Sequence, residues 1–176
     1  MGIFVLPTGA SIPLHDHPGM IVVSRLLVGQ LHVRSYDRLD VDAAAPPTVA
    51  GLASAARLVF DGIVAGPSEP QLLFPRRGNL HAFTSVRGPC VILDVLTPPY
   101  DPDGGRDCTY YRDAGPLPKG HAVAAAAAAA AAAKGGAPPD SLVLLEPTDP
   151  PADFVLLQGS YRGPHIGDSI SLGERS

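Results

Sequence analysis

The sequence predicts an all-β chain whose short strands close into a sandwich or barrel. Apolar, β-favouring runs of a few residues recur along the chain, and nearly every one ends at a Gly or Pro. Twenty prolines and nineteen glycines in 176 residues favour short strands and turns over long helices, one alanine tract apart. Many short strands at regular spacing, separated by such turns, argue for antiparallel sheet closed on itself.

The elements follow in order. Ile3 to Leu6 is a short apolar strand, stopped by Pro7-Thr8-Gly9. Ser11 to His17 is a second extended piece, with Pro13 setting its start at an edge or bend. Pro18-Gly19 turns into Met20 to Leu27, a strongly β-favouring run. Val28-Gly29-Gln30 reads as a turn into Leu31 to Tyr36, where Leu31, Val33 and Ser35 alternate with His32, Arg34 and Tyr36. Residues 40–56 are rich in Ala, Pro and Thr and read as a loop. Ala56 to Val64 is a strand with Asp61-Gly62 as a turn inside it, and Gly66 to Pro70 is a loop. Gln71 to Phe74 ends at Pro75-Arg76-Arg77-Gly78-Asn79, a turn that delivers Leu80 to Ser85. After Gly88-Pro89, Cys90 to Leu96 is apolar except for Asp94. A long turn over Thr97 to Gly105 precedes a strand from Cys108 to Arg112. Ser141 to Leu145 and Asp153 to Leu157 are the closing strands.

At this length the prior is one domain with a single core. Its parts read as a barrel core over 1–114, an Ala/Gly-rich insertion over 115–140, barrel-completing strands over 141–167 and a polar tail over 168–176. The insertion carries ten consecutive alanines, Ala124 to Ala133. Alanine has the best helix propensity, yet so short a helix is marginal in water without packing. A chain that enters a strand within three residues of its start also reads as truncated at the front.

Composition excludes several classes. The net charge is −4, and no basic cluster exceeds Arg76-Arg77, so direct nucleic-acid binding is not expected. Two cysteines, Cys90 and Cys108, are too few for a disulfide framework and fit a reducing compartment. The apolar start lacks a basic region and is too short for a signal peptide, and no run approaches the roughly 18 apolar residues of a membrane span. The expectation is a soluble protein of the cytoplasm or nucleus, monomeric.

Pro13-Leu14-His15-Asp16-His17-Pro18-Gly19-Met20 is the stretch with chemistry in it. Side chains two apart on a strand share a face, so His15 and His17 project together. His81, delivered directly after the turn at Gly78, is a third imidazole that can close on the same metal ion. A His-x-His pair alone is a weak signal, and two loop histidines are the plainer account. The strand-end setting and the later Gly78-x-x-His81 strengthen the metal reading. Three imidazoles without a carboxylate leave a divalent ion its full charge, which favours an anionic ligand such as a thiolate; mononuclear iron oxygenases more often use two histidines and a carboxylate.

These two elements resemble the paired motifs of cupins, which implies a jelly-roll barrel, the double-stranded β-helix. The usual Glu after His-x-His is missing, since no Glu occurs between His17 and Glu69. Within the cupins the chain resembles the thiol dioxygenases that include plant cysteine oxidases and 2-aminoethanethiol (cysteamine) dioxygenase. Carrying that resemblance are Gly2-Ile3-Phe4, Ile12 through Met20, Gly78-Asn79-Leu80-His81-Ala82-Phe83-Thr84, Leu93 through Tyr100 and Asp107-Cys108-Thr109-Tyr110-Tyr111. It implies Fe(II) held by His15, His17 and His81, and O2 as co-substrate. It further implies conversion of a protein's N-terminal cysteine to the sulfinic acid, an oxygen-sensing step that marks the target for degradation. The implied plant partners are ethylene-response transcription factors.

Asp94 and Tyr100 are the implied catalytic pair near the iron. An Asp inside an apolar strand is costly unless paired, and a place near the barrel mouth would let Asp94 bind a substrate ammonium or orient a ligand. Tyr100 is expected to hydrogen-bond substrate or bound oxygen, or else to cap the sheet. Cys108 and Tyr110, two residues apart, match the pair that forms a thioether in animal relatives, although packing alone accounts for Cys108. Cys90 reads as a buried small hydrophobe. His32, His121 and His165 lack partners at ligand spacing. Cysteamine as substrate, a non-catalytic binding cupin, or a different cupin enzyme with another metal are the readings left open.

Overall fold

The computed structural model describes residues 1–39, 54–117, 142–160 and 162–163. The alanine insertion, the polar tail, His121 and His165 lie outside them. Eight strands run in order: β1 Gly2–Leu6, β2 Ser11–His15, β3 Ile21–Arg38, β4 Ser54–Ala65, β5 Gln71–Leu73, β6 Leu80–Thr97, β7 Tyr110–Pro116 and β8 Leu142–Thr148. No helix occurs among the described residues.

All pairings are antiparallel. The sheet order is β1-β6-β2-β7-β8-β4-β3-β5, and β3 also pairs with β6. That extra pairing closes a ring of β6, β2, β7, β8, β4 and β3, a barrel without free edges among those six strands. β1 and β5 extend the outer halves of β6 and β3.

Two long strands replace the four short ones read from the sequence. Gly29 is not a hairpin turn: β3 passes through it, with register shifts between Leu26 and Leu31. Gly88-Pro89 likewise lies inside β6, where Gln30 pairs with Arg87 and Val28 with Val91. These irregularities act as facing bulges, which bend a strand and increase its twist without ending it. Gly29 has φ +92°, and a Cβ there would lie 2.5 Å from the Pro89 carbonyl oxygen and 2.6 Å from Cys90 Sγ. Only a residue without a side chain fits this close approach. Asp61-Gly62 is also mid-strand, opposite Arg34 and Val33. At the far end, β8 completes the barrel, but Asp153 to Leu157 form no strand. Val155, Leu156 and Leu157 are exposed there and pair with no strand.

Two apolar clusters fill the interior. Leu6, Leu26, Leu31, Phe83, Cys90 and Ile92 form one, and Leu14, Tyr36, Ala56, Leu80, Tyr111 and Leu145 the other. Strand alternation then places the site. Leu14 and Leu80 join the second cluster, so their neighbours His15 and His81 turn the opposite way, beside Phe83 of the first. Cys90 is fully buried, as its sequence context implied.

Gly29→Ala is expected to destabilise the fold by about 3 kcal/mol, through steric overlap and an unfavourable positive φ. A lowered denaturant midpoint with an unchanged slope checks it; a midpoint equal to wild type would remove the packing account of Gly29.

Candidate metal centre

His15 ends β2, and its Cα partner across the sheet is His81 at the start of β6. His17 lies two residues beyond, after the strand has ended and before the Pro18-Gly19 turn. One ligand atom from each of the three lies within 4.8 Å of the others. All three side chains are buried, at 7, 3 and 2 % exposure for His15, His17 and His81. The Nε2 atoms of His17 and His81 are 2.9 Å apart. Nitrogens that share one ion at about 2.1 Å each need to stand roughly 3 to 3.5 Å apart, close to this separation.

The bonding network assigns two tautomers. His15 Nδ1 lies 2.8 Å from the Pro13 carbonyl oxygen, which can only accept, so Nδ1 carries the hydrogen. Tyr100 Oη donates to the Asp16 carbonyl oxygen at 2.9 Å and lies 2.6 Å from His17 Nδ1. Its one hydrogen is thereby used, so His17 Nδ1 donates to it. Both rings present a bare Nε2. Such outer bonds commonly orient metal-ligating histidines.

Burial depresses the basicity of all three rings. It lowers His15, brings His17 to about 3 with help from the neighbouring His15, and takes His81 well below its usual value. Neutral imidazoles are the form a metal binds. The site therefore fits a divalent ion on nitrogen donors, with no carboxylate in the set.

Two residues that the sequence reading passed over hold this arrangement. Asn79 clamps His17: its Oδ1 accepts from the His17 N–H and its Nδ2 donates to the His17 carbonyl, both at 2.8 Å. Asp16, between the two ligands, turns the other way and is 2 % exposed. Its carboxylate accepts from Tyr111 Oη at 2.9 Å, from the Thr109 N–H at 3.0 Å and from Arg38 at 3.4 Å. Asn79's place between a turn and a histidine was a usable signal; for Asp16 none existed beyond its position between two ligands.

Tyr100 touches the site through His17, and burial raises its pKa. Asp94 is not at an exposed mouth. It lies on the inward face of β6 at 4 % exposure, opposite Ser24 of β3, because it alternates with the outward Val95. Ser24 is its hydrogen-bond partner; Oδ1 has none among the described residues, and burial raises the carboxyl pKa. Cys108 precedes β7 and lies against Tyr100 and Tyr110, with burial pushing its thiol up to about 11. His32 pairs with Asp61 away from the site. A cavity of about 290 Å³ inside the barrel connects Ser24, Leu26, Leu31 and Ile92 to Phe83 and His81.

A model of the PCO_ADO family matches residues 1–166. The chain belongs to this family. The PCO_ADO match spans the three histidines and extends to β8 and beyond. Plant cysteine oxidase 1 of Arabidopsis thaliana is 39 % identical over 170 residues, covering 96 % of this chain and 55 % of that protein. Plant cysteine oxidase 2 of the same plant is 42 % identical over 112 residues, 63 % of this chain and 39 % of the relative. The 2-aminoethanethiol dioxygenase of Homo sapiens is 38 % identical over 135 residues, 66 % and 49 % respectively. The chain spans about half the length of the curated relatives it matches. The closed antiparallel barrel accords with the cupin architecture of PCO_ADO proteins.

The depressed His17 pKa has a consequence for the metal-free chain. Below about pH 6.5 the unfolded state takes up a proton that folded His17 refuses down to about 3. The stability gained from a neutral His17 is complete above that window and is lost as pH falls through it. Replacing His17 by Phe should remove up to about 1.4 kcal/mol of pH dependence per unit. Unfolding curves of the two proteins between pH 6.5 and 4 measure it, and parallel stability profiles would contradict it.

Tyr100→Phe deletes the acceptor that holds His17 Nδ1–H. It should weaken divalent metal binding about tenfold, read by competition with a chromophoric chelator. Unchanged affinity would leave Tyr100 without a hold on the ligand.

Proposed function

We propose that this chain is the catalytic core of an Fe(II)-dependent thiol dioxygenase. Its substrate is the N-terminal cysteine of a protein or peptide, and its product is cysteine sulfinic acid. The observation that carries the reading is the donor set: three buried, neutral imidazoles and no carboxylate. A divalent ion there keeps its whole charge, and an anionic sulfur is the ligand that best offsets it. Family membership supports the same chemistry, since the relatives are named as cysteine oxidases and 2-aminoethanethiol dioxygenases.

The reaction balances without an external reductant. One thiol and one O2 give one sulfinic acid, with both oxygen atoms on sulfur and all four electrons drawn from it. Iron, when bound, supplies a site that deprotonates the thiol and allows O2 to react with it. The protein's part is to keep His15, His17 and His81 neutral, and to orient His15 through Pro13 and His17 through Tyr100 and Asn79. Burial excludes bulk water from the donors. The cavity supplies apolar space beside His81 for substrate or O2. Asp94 is assigned to the substrate's ammonium: its unpartnered Oδ1 is an available acceptor, one hydrogen bond from cavity-lining Ser24.

On this reading the protein senses oxygen, and its product marks targets for degradation by the N-degron route. The targets are proteins with an exposed N-terminal cysteine, of which ethylene-response transcription factors are the plant class. It acts as a monomer in the cytoplasm or nucleus, where its two free thiols stay reduced.

The test is oxygen uptake by the Fe(II)-loaded protein with a Cys-initiated peptide and, separately, with cysteamine. The peptide should gain about 32 Da, two oxygen atoms on one sulfur, and His81→Ala should lose at least about a hundredfold in rate. Turnover of cysteamine alone would move the assignment to small thiols. Iron-loaded protein that oxidises neither thiol would overturn it in favour of a binding cupin or different chemistry.

A further inference from the structure

We infer that Asp16 is a positioning residue, a buried bolt that holds the His15–His17 pair at the spacing one metal ion requires. The inference rests on the metal-centre reading of the three histidines and adds a role for the residue between them.

β2 and β7 meet in a short seam. Its register contains one residue pair, His15 with Tyr110. One further backbone bond follows, the Asp16 N–H to the Thr109 carbonyl at 3.1 Å. The barrel ring is thus thinnest where two of its three candidate ligands are carried. β3 and β6, by contrast, are paired along nearly their whole lengths.

Asp16 reinforces that seam from the side facing away from the imidazoles. Oδ1 accepts from the Thr109 N–H, so Asp16 and Thr109 exchange two bonds. Oδ2 accepts from Tyr111 of β7 and Arg38 at the end of β3, and Arg38 also donates to Tyr111 Oη at 2.5 Å. One side chain therefore ties the ligand-bearing segment to two other barrel strands. Its carbonyl meanwhile accepts from Tyr100, the group that orients His17. Every attachment is made to the residue that separates two candidate ligands.

General stability is a poor explanation for such a group. Burying a carboxylate with its cation is often no better for stability than an apolar replacement. What the network supplies is position: it leaves His15 and His17 little freedom to separate when no ion holds them.

Asp113 provides an internal control. It too accepts from a tyrosine and an arginine, Tyr36 Oη and Arg34 of β3, both at 3.1 Å, but it lies on β7 and not between two candidate ligands. The experiment uses the full chain carrying Asp16→Asn, Tyr111→Phe or Asp113→Asn. Cobalt(II) affinity, the visible cobalt spectrum and the melting temperature of the metal-free protein are measured for each. Asp16→Asn should lower cobalt affinity at least about tenfold and shift the spectrum. Tyr111→Phe should move both the same way by less, and decides the matter if Asp16→Asn does not fold. Asp113→Asn should lower the melting temperature with affinity and spectrum unchanged. Wild-type affinity and spectrum in Asp16→Asn, or in Tyr111→Phe where it alone folds, would overturn the inference. Equal affinity losses in Asp16→Asn and Asp113→Asn at matched stability would do the same. Since the readout is cobalt binding, it stands or falls apart from thiol oxidation.

Discussion

Three imidazoles converge in a space closed to water, at least two with a bare nitrogen facing inward. Burial disfavours a positive charge on any of the rings, so they stay neutral and keep nitrogen lone pairs to offer. Neutral nitrogens held this close are what a divalent cation binds, so the depressed His17 basicity and the 2.9 Å nitrogen separation suit the same ligand. The rest of the structure serves to hold this arrangement. Asn79 fixes the backbone of His17, Pro13 and Tyr100 fix two ring orientations, and Asp16 fixes the segment between.

Bringing His81 to the pair requires the long β3–β6 ribbon. Its facing bulges near Gly29 and Gly88 let two 18-residue strands bend and serve both the barrel and the outer sheet. The first half of β6 then lies beside β2, and the second half beside β1. A true hairpin at either glycine would separate those halves, and with them the inner wall that carries both Phe83 and Ile92.

Carboxylates are placed in this protein with unusual consequence. Neither of the buried aspartates among the described residues joins the three-histidine group. Asp16 faces away from the ion site and is met by three donors, whereas Asp94 faces inward with one oxygen unsatisfied. The same residue type thus supports a scaffold in one case and offers a free acceptor in the other. The difference lies in what packs opposite: Tyr111 and Arg38 across from Asp16, a lone serine hydroxyl across from Asp94.

Much of this was legible in the chain itself. The His15-x-His17 spacing, the turn before His81 and the absence of a following Glu pointed to a three-histidine donor set, because spacing and turn chemistry are local properties, although His17 lies past the end of its strand. Gly and Pro punctuation likewise marks an all-β fold. Local signals misled where a glycine sat inside a strand instead of at a turn, at the bulges of Gly29 and Gly88 and at the regularly paired Gly62, since these look alike until the partner strand is known. They misled again at Asp153 to Leu157, an apolar run that pairs with no strand. Only the tertiary structure could join Asp16 to Tyr111, direct Tyr100 to His17 and bury Asp94 opposite Ser24. Those contacts link residues many positions apart, and their energetics depend on which groups share a space closed to water.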